Sequence, residues 1–485
     1  MSDSQTKGST LSTESTANGE NSNPVYKDIT KEQNSTNSFA KLVPGQTIVE
    51  IPEYELECGE TLKKFPVAYK TWGRLNNAKD NVLLICHALT GSSDVQDWWG
   101  PLLGTNKTFD PSRFFIICIN FLGSPYGSCS PVTIDRSTGK PYGPSFPLVT
   151  VKDDIGIQKL ILDSLDVKGI ACVIGGSMGG MIALEYSATY PDTYVKSIIA
   201  LATSARASAW CISWNETQRQ CIFSDPNYDD GYYFQNPTGV TPKSGLSAAR
   251  MAALLTYRSR NSFETRFGRN LPSVSNPQQA STKIPNETIW YPKTKDEENW
   301  LLHNEGKSAL QKTSNSSNGS SKPQTYFTAQ SYLRYQGTKF VNRFDANCYI
   351  SITRKLDTHD ITRGRIDPDT AVDPLPEFLQ GLTKPHLVVG IQSDGLFTYS
   401  EQQLLGQYIP DSQLKKLDSP EGHDAFLLEF EIIDKYCTEF LQTKLPGYYQ
   451  VPESELFLDW EKFVHGVDNG GNSVFGEAEQ NITNW

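Results

Sequence analysis

The sequence lacks the cysteine and histidine spacings that are typical of protein metal sites. Its nine cysteines are scattered and odd in number, no CxxC or HExxH motif occurs, and only six histidines are present. Most of the cysteines lie within apolar runs, so we interpret them as small buried hydrophobic residues in a reducing compartment. The spacing of these residues therefore predicts no metal site.

The sequence also lacks a cluster of basic residues and an apolar segment near its start. The formal net charge is -11 at pH 7, and no group of Lys and Arg offsets it, so we expect no nucleic-acid partner. Residues 1–23 are rich in Ser, Thr and Asn, without the apolar run of a signal peptide or the arginines of a transit peptide. We therefore expect a cytoplasmic protein without a membrane anchor.

Polar, low-complexity sequence marks two parts of the 485-residue chain. The tail at 1–42 and a stretch at 270–322 are poor in apolar groups, so we predict that both are disordered. The last stretch, 451–485, mixes aromatic with acidic residues, and its composition leaves open whether it packs. The remaining sequence is long enough to form a large hydrophobic core.

Continuous apolar runs predict a parallel sheet that is covered on both faces. Alternating stretches at 47–51 and 65–69 first predict antiparallel strands with one exposed face. Helical patterns at 154–165 and 181–190 then separate several buried runs, as right-handed crossovers require. The buried runs are at residues 82–86, 114–119, 170–174, 197–201 and 386–391. This alternation predicts an α/β fold with a mostly parallel central sheet.

A long excursion separates the last two buried runs. It is too long for a simple connection and contains helix-like stretches at 246–257 and 325–335. We interpret it as a helical cap, or lid, inserted over the sheet. The predicted divisions are a first core part at 43–205, the cap at 206–383, a second core part at 384–450 and an extension at 451–485.

The sequence GGSMGG at residues 175–180 connects a predicted buried strand to a predicted helix. A strand, a sharp turn with a central serine and a helix form a nucleophile elbow. Glycines two residues before and after Ser177 suit this turn, because bulkier side chains would collide with its strained backbone. A glycine-rich junction can also bind phosphate or make a simple tight turn, and the motif alone leaves these alternatives open.

The order of three residue types along the chain predicts a catalytic triad. A serine hydroxyl needs a base, and the base needs a third group to hold it. After the elbow, Asp394 directly follows the last buried run, and His423 lies in a loop before a helix-like stretch. Asp411 and Asp418 are weaker candidates for the acid, because neither ends a predicted buried strand. Each residue alone is as readily a turn former or a structural histidine, and the order after Ser177 favours the triad.

An oxyanion hole for acyl transfer requires two backbone N–H donors. We predict the first from Met178, the residue after the nucleophile, and the second from the loop after an early strand. The sequence HALTG at 87–91 follows the predicted strand at 82–86, and within it we choose the Leu89 amide. The alternative is a simple turn at the exit of a strand.

With these motifs, the chain resembles the fungal homoserine O-acetyltransferases of the α/β-hydrolase superfamily. The resemblance extends over residues 43–440, and neither the polar stretch nor the tail contains any of its motifs. The motifs are CHALTG at 86–91, DWWGP at 97–101, GSPYG at 123–127, GGSMGG at 175–180, AWCISW at 209–214, QRQ at 218–220, ARM at 249–251, QSD at 392–394 and GHD at 422–424.

The resemblance implies transfer of an acetyl group from acetyl-CoA to the hydroxyl of L-homoserine, a step toward methionine, in a ping-pong cycle. It implies Ser177 as nucleophile, His423 as base and then acid, and Asp394 as the orienting acid. In the same way, Arg250 would bind the carboxylate and Asp424 the ammonium group of the acceptor. Acetyl-CoA is then a co-substrate rather than a bound cofactor, and two subunits would pair through the cap helices.

Charge complementarity supports an amino-acid acceptor independently, because a zwitterion needs a cation and an anion beside the serine. Without the resemblance, Arg250 is more readily an exposed helix charge, and Asp424 a helix N-cap.

Three other functions stay open on the sequence. A serine esterase would use the same triad with water as the acceptor, because the fold supports both reactions. Another CoA-dependent acyltransferase would use a succinyl donor, or take serine or an antibiotic nucleus as its acceptor. A non-catalytic scaffold would keep the fold, although the joint presence of Ser177, Asp394 and His423 argues against it.

Overall fold

The computed structural model describes residues 23–270, 294–304, 327–366, 373–452, 454 and 456–463. The strands in this part of the chain are β1 (Lys27–Asp28), β2 (Thr47–Glu55), β3 (Thr61–Trp72), β4 (Val82–Cys86), β5 (Phe115–Ile119), β6 (Ile134–Asp135), β7 (Lys140–Pro141), β8 (Ile170–Gly176), β9 (Ile198–Leu201), β10 (His386–Ile391) and β11 (Ser412–Leu417). Nine of these described strands form one sheet in the order β1-β2-β3-β5-β4-β8-β9-β10-β11, and β6 pairs with β7.

The strands from β5 to β11 in that order pair in parallel, and β1, β2 and β3 pair antiparallel, as does β3 with β5. Strands β4, β5, β8, β9 and β10 are buried along their whole length. The predicted α/β fold with a mostly parallel central sheet is therefore confirmed.

Alternate residues of the parallel strands lie in two separate hydrophobic clusters. In β4, Val82 and Leu84 belong to one cluster, and Leu83 and Ile85 belong to the other. Side chains of a strand alternate between the two faces of a sheet, so each face has its own core. This double burial explains why the strands are apolar at every position rather than at every second one.

The helices of the described residues cover these two faces and form the cap. They are α1 (Thr30–Thr36), α2 (Val95–Trp99), α3 (Val151–Ser164), α4 (Met178–Thr189), α5 (Ala209–Phe223), α6 (Lys243–Tyr257), α7 (Arg260–Arg266), α8 (Lys295–His303), α9 (Thr328–Phe340), α10 (Ala346–Asp357), α11 (Leu375–Gln380), α12 (Tyr399–Tyr408), α13 (Ala425–Leu428), α14 (Phe430–Lys444) and α15 (Pro446–Tyr449). Helices α3 and α4 pack on one face of the sheet, and α14 packs on the other.

The long excursion between β9 and β10 contains helices α5 to α11. Helix α6 lies between α5 and α9 and packs against both. Helix α10 connects this cap to the core through Lys355, whose ammonium lies 2.5 Å from the carboxylate of Asp154 in α3. The same ammonium donates to the carbonyl of Leu122 at 2.7 Å, and both charged side chains are fully buried. This buried pair ties the cap to the sheet.

The sequence pattern misses strand β11, which lies at the edge of the sheet. Its sequence, SQLKKL, contains only two apolar residues, and most of its residues are only half-buried. An edge strand has one neighbour and one open side, so it does not need the continuous apolar sequence of a central strand. Asp418, a weaker candidate for the acid, follows this strand.

The prediction of a disordered tail at 1–42 is wrong for residues 23–42. Strand β1 pairs with β2, and α1 follows directly. Ile29 and Ala40 are buried, and the Asn37 side chain donates to the carbonyl of Pro125 at 3.0 Å. A few apolar groups suffice here because Ile29 and Ala40 form a small cluster with Ile48 of β2 and Ala68 of β3, so the sheet supplies half of the apolar residues. Residues 1–22 lie outside the described residues.

The predicted disorder at 270–322 is also wrong where the structure describes that stretch, because 295–303 form α8. The helix begins after Thr294, whose side chain accepts the N–H of Glu297. Acidic residues in its first turn stabilise the helix, because they interact favourably with the positive end of the helix dipole. Residues 271–293 and 305–326 of the stretch lie outside the described residues.

The described part of the C-terminal extension packs on the core. The N–H of Phe457 donates to the carbonyl of Ser112 at 2.9 Å, and the indole of Trp460 donates to the hydroxyl of Thr105 at 3.2 Å.

Across the described ranges, no helix has both the length and the low polarity that crossing a lipid bilayer requires.

Candidate active site

Ser177 lies in the turn between β8 and α4 with a backbone φ of 58° and ψ of -127°. A positive φ is strained for a residue that carries a Cβ atom. Two hydrogen bonds hold this backbone: the N–H of Ser177 donates to the carbonyl of Leu201 at 2.9 Å, and its carbonyl accepts from the Thr203 hydroxyl at 2.7 Å. The backbone therefore has the strained turn of a nucleophile elbow.

The glycines two residues before and after Ser177 are required by close backbone contacts. A Cβ atom on Gly175 would overlap the carbonyl of Gly179, and a Cβ on Gly179 would overlap the carbonyl of Cys86. Both obstacles are backbone atoms, which cannot rotate away as a side chain could. The turn thus depends on glycine at both positions.

His423 and Asp394 form a hydrogen-bonded pair, with Nδ1 of the imidazole 2.8 Å from Oδ2 of the carboxylate. The other carboxylate oxygen accepts the N–H groups of Leu396 and Phe397 at 2.8 and 3.0 Å. The Gln402 amide donates to Oδ2 at 3.3 Å. These bonds fix the carboxylate in the loop after β10, and the sequence reasoning did not identify Gln402.

The loops that carry Asp394 and His423 are joined by Ser393. Its hydroxyl accepts the N–H of Gly422 at 3.0 Å and donates to the carbonyl of Ser419. Because these two bonds connect the neighbours of the acid to the neighbours of the base, they restrict how the two loops can move relative to each other.

Aromatic rings place His423 beside the elbow. The imidazole centroid lies 5.4 Å from the ring of Phe397 and 5.5 Å from the ring of Phe426. The Phe426 ring in turn lies directly against Gly176, the residue before Ser177. The structure thus brings the elbow and the His423–Asp394 pair, which are distant in sequence, into one neighbourhood.

The two predicted oxyanion donors lie on segments that pack against each other. Met178 is the first residue of α4, so its N–H has no acceptor within the helix. The next residue, Gly179, lies against the carbonyl of Cys86, at the end of β4. Leu89 follows in a tight turn that a hydrogen bond from the N–H of Gly91 closes at 3.0 Å. This arrangement suits two N–H donors that face one carbonyl oxygen.

Arg343 supports the turn that contains Leu89, and the sequence reasoning missed it. Its guanidinium donates to the carbonyl of Thr90 at 3.1 Å and to the hydroxyl of Tyr126 at 3.0 Å. The residue is buried in the cap segment after α9. An arginine outside a periodic element has no sequence signal that could have indicated this contact.

His87 opens the motif that contains Leu89, and it is held as a neutral imidazole. Burial lowers the pKa of His87 to about 3. The ring stacks on Phe121 with centroids 4.0 Å apart, and Nδ1 lies 2.9 Å from the carbonyl of Ala88. These contacts indicate a structural role for His87 in the loop.

Arg250 is buried in the cap, with 1% of its surface exposed. Its guanidinium lies over the rings of Tyr257 and Phe340, at 5.5 and 5.0 Å. Nε and Nη1 have no hydrogen-bond acceptor among the described residues. The Tyr257 ring is also 6.1 Å from the imidazole of His423. An exposed helix charge is therefore excluded. A buried cation whose Nε and Nη1 find no acceptor in the described part of the chain suits an anionic ligand.

Asp424 is buried beside His423 and forms an ion pair with Arg258, whose Nε lies 3.0 Å from Oδ2. It precedes α13, but its side chain makes no capping hydrogen bond there. Asp424 thus occupies the N-cap position of α13, but its side chain pairs with Arg258 and does not cap the helix. Arg258, which the sequence reasoning did not single out, also contacts Glu421.

Seven of the nine cysteines are buried, all nine are free, and Cys58 is exposed. Burial raises the pKa of Cys129 and of Cys172 to about 12, so these thiols stay protonated and inert. Within the described ranges, no three His, Cys, Asp or Glu side chains converge as a metal site would require.

Known proteins that are similar to this chain have the fold that its structure shows. Residues 81–430 match the family described as the alpha/beta hydrolase fold. The chain is 54% identical over 490 residues to the homoserine O-acetyltransferase of Saccharomyces cerevisiae, and the match covers 94% of this chain and 97% of that protein. The chain belongs to the homoserine O-acetyltransferase family. The resemblance that the motifs indicated is thereby confirmed.

Solved structures share the fold of this homoserine O-acetyltransferase family member. A homoserine O-acetyltransferase from Bacillus anthracis superposes with a TM-score of 0.63 at 22% identity, covering 82% of this chain and 97% of that one. Esterase E22 superposes with a TM-score of 0.64 at 23% identity, covering 82% of this chain and 100% of that one. At 22–23% sequence identity, this structural similarity establishes the α/β-hydrolase fold. The reaction has to be inferred from the residues of the site.

Proposed function

We propose that this protein transfers the acetyl group of acetyl-CoA to the hydroxyl of L-homoserine through an acetyl-serine intermediate. The observation that carries the proposal is the buried guanidinium of Arg250, whose Nε and Nη1 have no acceptor among the described residues. The Tyr257 ring lies next to both this guanidinium and the imidazole of His423. Such a cation would bind the carboxylate of an amino-acid acceptor. The homoserine O-acetyltransferase of Saccharomyces cerevisiae, at 54% identity, supports the same reaction.

In the first half of the proposed cycle, the Ser177 hydroxyl attacks the thioester carbonyl of acetyl-CoA. His423 accepts the serine proton at Nε2, and Asp394, hydrogen-bonded at Nδ1, stabilises the imidazolium. The N–H groups of Met178 and Leu89 stabilise the negative charge on the carbonyl oxygen. The C–S bond breaks, His423 returns the proton to the thiolate, and free CoA leaves an acetyl ester on Ser177.

In the second half, the hydroxyl of L-homoserine attacks the acetyl ester while His423 accepts its proton. The ester bond to Ser177 breaks, and the serine oxygen recovers a proton from His423. Arg250 would bind the acceptor's carboxylate and Asp424 its ammonium group. Asp424 can serve both Arg258 and a ligand, because a carboxylate has about four lone-pair sites. Positioning of the acceptor by these two charges favours its hydroxyl over water.

Steady-state kinetics test this proposal. Acetyl-CoA and succinyl-CoA are crossed with L-homoserine, L-serine and no acceptor, and the products are identified by mass spectrometry. We expect O-acetylhomoserine as the main product and parallel lines in double-reciprocal plots, as a ping-pong cycle requires. Acetate as the main product in every mixture would support the esterase alternative, and intersecting lines would contradict the acetyl-enzyme.

We also propose that two copies pair through the cap helices. Ile212 and Phe223 lie on one side of α5, since eleven residues complete about three turns, and both are exposed. Leu255 of the adjoining α6 is 51% exposed. Exposed apolar side chains on neighbouring helices suit an interface. Sedimentation velocity should show a dimer that Leu255→Glu dissociates, and a monomeric native protein would contradict the pairing.

A cytoplasmic location is part of the proposal, since free acetyl-CoA and amino acids are soluble substrates. Imaging of a fluorescent fusion tests it, and enrichment of the fusion in a membrane-bound compartment would contradict it.

A further inference from the structure

Two acidic residues flank His423 in its loop, and both are bound by arginines of the cap. Arg258 contacts each of them: Nη1 lies 2.5 Å from Oε2 of Glu421, and Nε lies 3.0 Å from Oδ2 of Asp424. Arg266 adds a second contact to Glu421 at 2.8 Å. The loop that carries the base is thus held by charges that belong to another part of the fold.

These ion pairs are shielded from water. The side chain of Arg258 is 3% exposed, that of Asp424 is 5% exposed, and that of Glu421 is 18% exposed. Exposed ion pairs contribute little, but removal of one partner from a buried pair leaves an uncompensated charge that disturbs its surroundings. Arg258 is therefore in a position to control the conformation of the acids it binds.

Backbone contacts bring the same two segments together. Gly422 has a φ of 75°, and a Cβ atom there would overlap the amide nitrogen of Ser259. The Ser259 hydroxyl donates to the carbonyl of Pro420. Arg258 itself follows the last residue of α6, the helix that also carries Arg250. Helix α6 thus carries Arg250, and the residues that directly follow this helix anchor the loop of His423.

We infer that Arg258 is a positioning residue for the acceptor: it directs the Asp424 carboxylate toward the ammonium group of the amino acid and fixes His423 for the transfer step. This inference rests on the proposed function, because it assigns Asp424 to the amine of the acceptor. Arg258 touches neither the reacting atoms nor the substrate in this account and acts through Asp424 and Glu421.

The charges around His423 predict that loss of Arg258 changes the pH dependence of kcat/KM. Loss of the Arg258 cation leaves Asp424 and Glu421 less compensated beside the imidazole, and uncompensated negative charge favours the protonated base. Asp394, from the loop after β10, and Tyr257, from the cap, contact His423 directly. The other charged and titratable groups around its loop are Glu421 and Asp424 of the loop itself and Arg250, Arg258, Arg266 and Tyr332 of the cap. Since the other cations remain, we expect a shift of the acid limb rather than its loss.

The test compares Arg258→Met and Arg258→Lys in the full-length enzyme with a matched control, Arg219→Met. Arg219 is also a buried cap arginine, and it pairs with Asp357 at 2.7 Å within the cap, away from the loop of His423. We expect Arg258→Met to raise the KM for L-homoserine by about tenfold or more, since it removes a buried charge contact. The KM for acetyl-CoA should change by less than about twofold, because Asp424 does not bind the donor in this scheme.

The acid limb of kcat/KM for L-homoserine should move to higher pH in Arg258→Met and return in Arg258→Lys, which restores the positive charge. Arg219→Met should lower the thermal midpoint and leave the acid limb and the ratio of the two KM values unchanged. An Arg258→Met enzyme that is folded by circular dichroism and keeps both the KM for L-homoserine and the acid limb would overturn the inference. So would equal shifts in Arg219→Met, because they would indicate a general effect of cap stability.

The two proposals fail in different ways in this experiment. If the wild-type enzyme forms no O-acetylhomoserine, the proposed function is wrong. If the wild type forms it and Arg258→Met behaves like the wild type, only the role of Arg258 is wrong.

Discussion

At the scale of single residues, Ser177 and Arg250 each carry a cost that the fold alone does not require. Ser177 has a strained backbone with a φ of 58°, and Arg250 buries a cation whose Nε and Nη1 have no acceptor among the described residues. Strain and unpaired buried charge persist where the surrounding structure enforces them, and both are concentrated at functional sites. Their location in the same region as the His423–Asp394 pair indicates a catalytic site there.

Replacement of Ser177, the proposed nucleophile, tests its role directly. We expect Ser177→Ala to abolish the burst of free CoA from acetyl-CoA and to lower kcat by about a thousandfold or more, as removal of a triad nucleophile does in other enzymes. The burst is measured by thiol titration in a stopped-flow instrument. Ser137→Ala, in the exposed β6–β7 hairpin, serves as the control. A normal burst in Ser177→Ala would rule out the assigned nucleophile.

Replacement of Arg250 tests the carboxylate site. Methionine is similar in length and keeps the packing against Tyr257 and Phe340, but it cannot pair with a carboxylate. We expect Arg250→Met to raise the KM for L-homoserine by about tenfold to a hundredfold, since charge-assisted bidentate pairs are strong. The CoA burst should persist, because the donor does not use this group in our scheme. An unchanged KM for L-homoserine would show that the acceptor's carboxylate binds elsewhere.

At the scale of elements, the elbow depends on how closely α4 approaches β4. The start of α4 lies directly against the carbonyl of Cys86, so the helix and the strand leave no room for a side chain at Gly179. This approach also places the N–H of Met178 near the turn that contains Leu89. The predicted oxyanion site would therefore depend on the packing of these two elements.

A single methyl group should show this dependence. Gly179→Ala places a Cβ against backbone, so we expect a loss of about 1–3 kcal/mol in the free energy of unfolding, as overpacked sites show. Activity should fall further than stability accounts for, because the oxyanion donors move apart. Gly447→Ala is the control, since nothing lies within 4 Å of a Cβ at that position. Urea denaturation measures the first effect, and equal stabilities of the two variants would contradict the packing argument.

At the scale of the whole molecule, three buried histidines link stability to pH. Burial lowers the pKa of His87 and of His359 to about 3 and that of His386 to about 4, from an ordinary value of 6.5. In the unfolded chain these groups take up protons as the pH falls below 6.5, while in the folded protein they stay neutral. The unfolded state therefore binds more protons between pH 6.5 and the lowered values, and the free energy of unfolding decreases on acidification.

We expect the thermal midpoint to fall steadily between pH 7 and pH 5 and His386→Leu to make that dependence shallower. The difference corresponds to one proton, or about 1.4 kcal/mol per pH unit at most. Calorimetry at a series of pH values measures the slope. Leu387→Ala, the next residue of β10, is the control, because it creates a cavity but removes no titrating group. Equal slopes in His386→Leu and the native protein would show that His386 is not held neutral.

The central strands could be predicted from the sequence, and the elements at the edges of the sheet could not. Strands β4 and β10 were predicted with their observed bounds, because a strand that is buried on both faces must be apolar throughout. Strand β11 and the segment that forms β1 and α1 were missed, because an edge needs few apolar residues. Local composition describes how a segment would behave alone and not the surface on which it packs.

Sequence by itself determined the sheet of central strands, the elbow around Ser177 and the family, because each depends on residues that are close together in the chain. Only the tertiary structure decided that Arg250 is buried without an acceptor among the described residues and that Arg258 holds the loop of His423. The Arg258–Glu421 contact joins residues 163 positions apart. Charges that are so far apart in the sequence come into contact only through folding. No local sequence pattern shows which buried cation forms an ion pair within the protein and which remains available to a ligand.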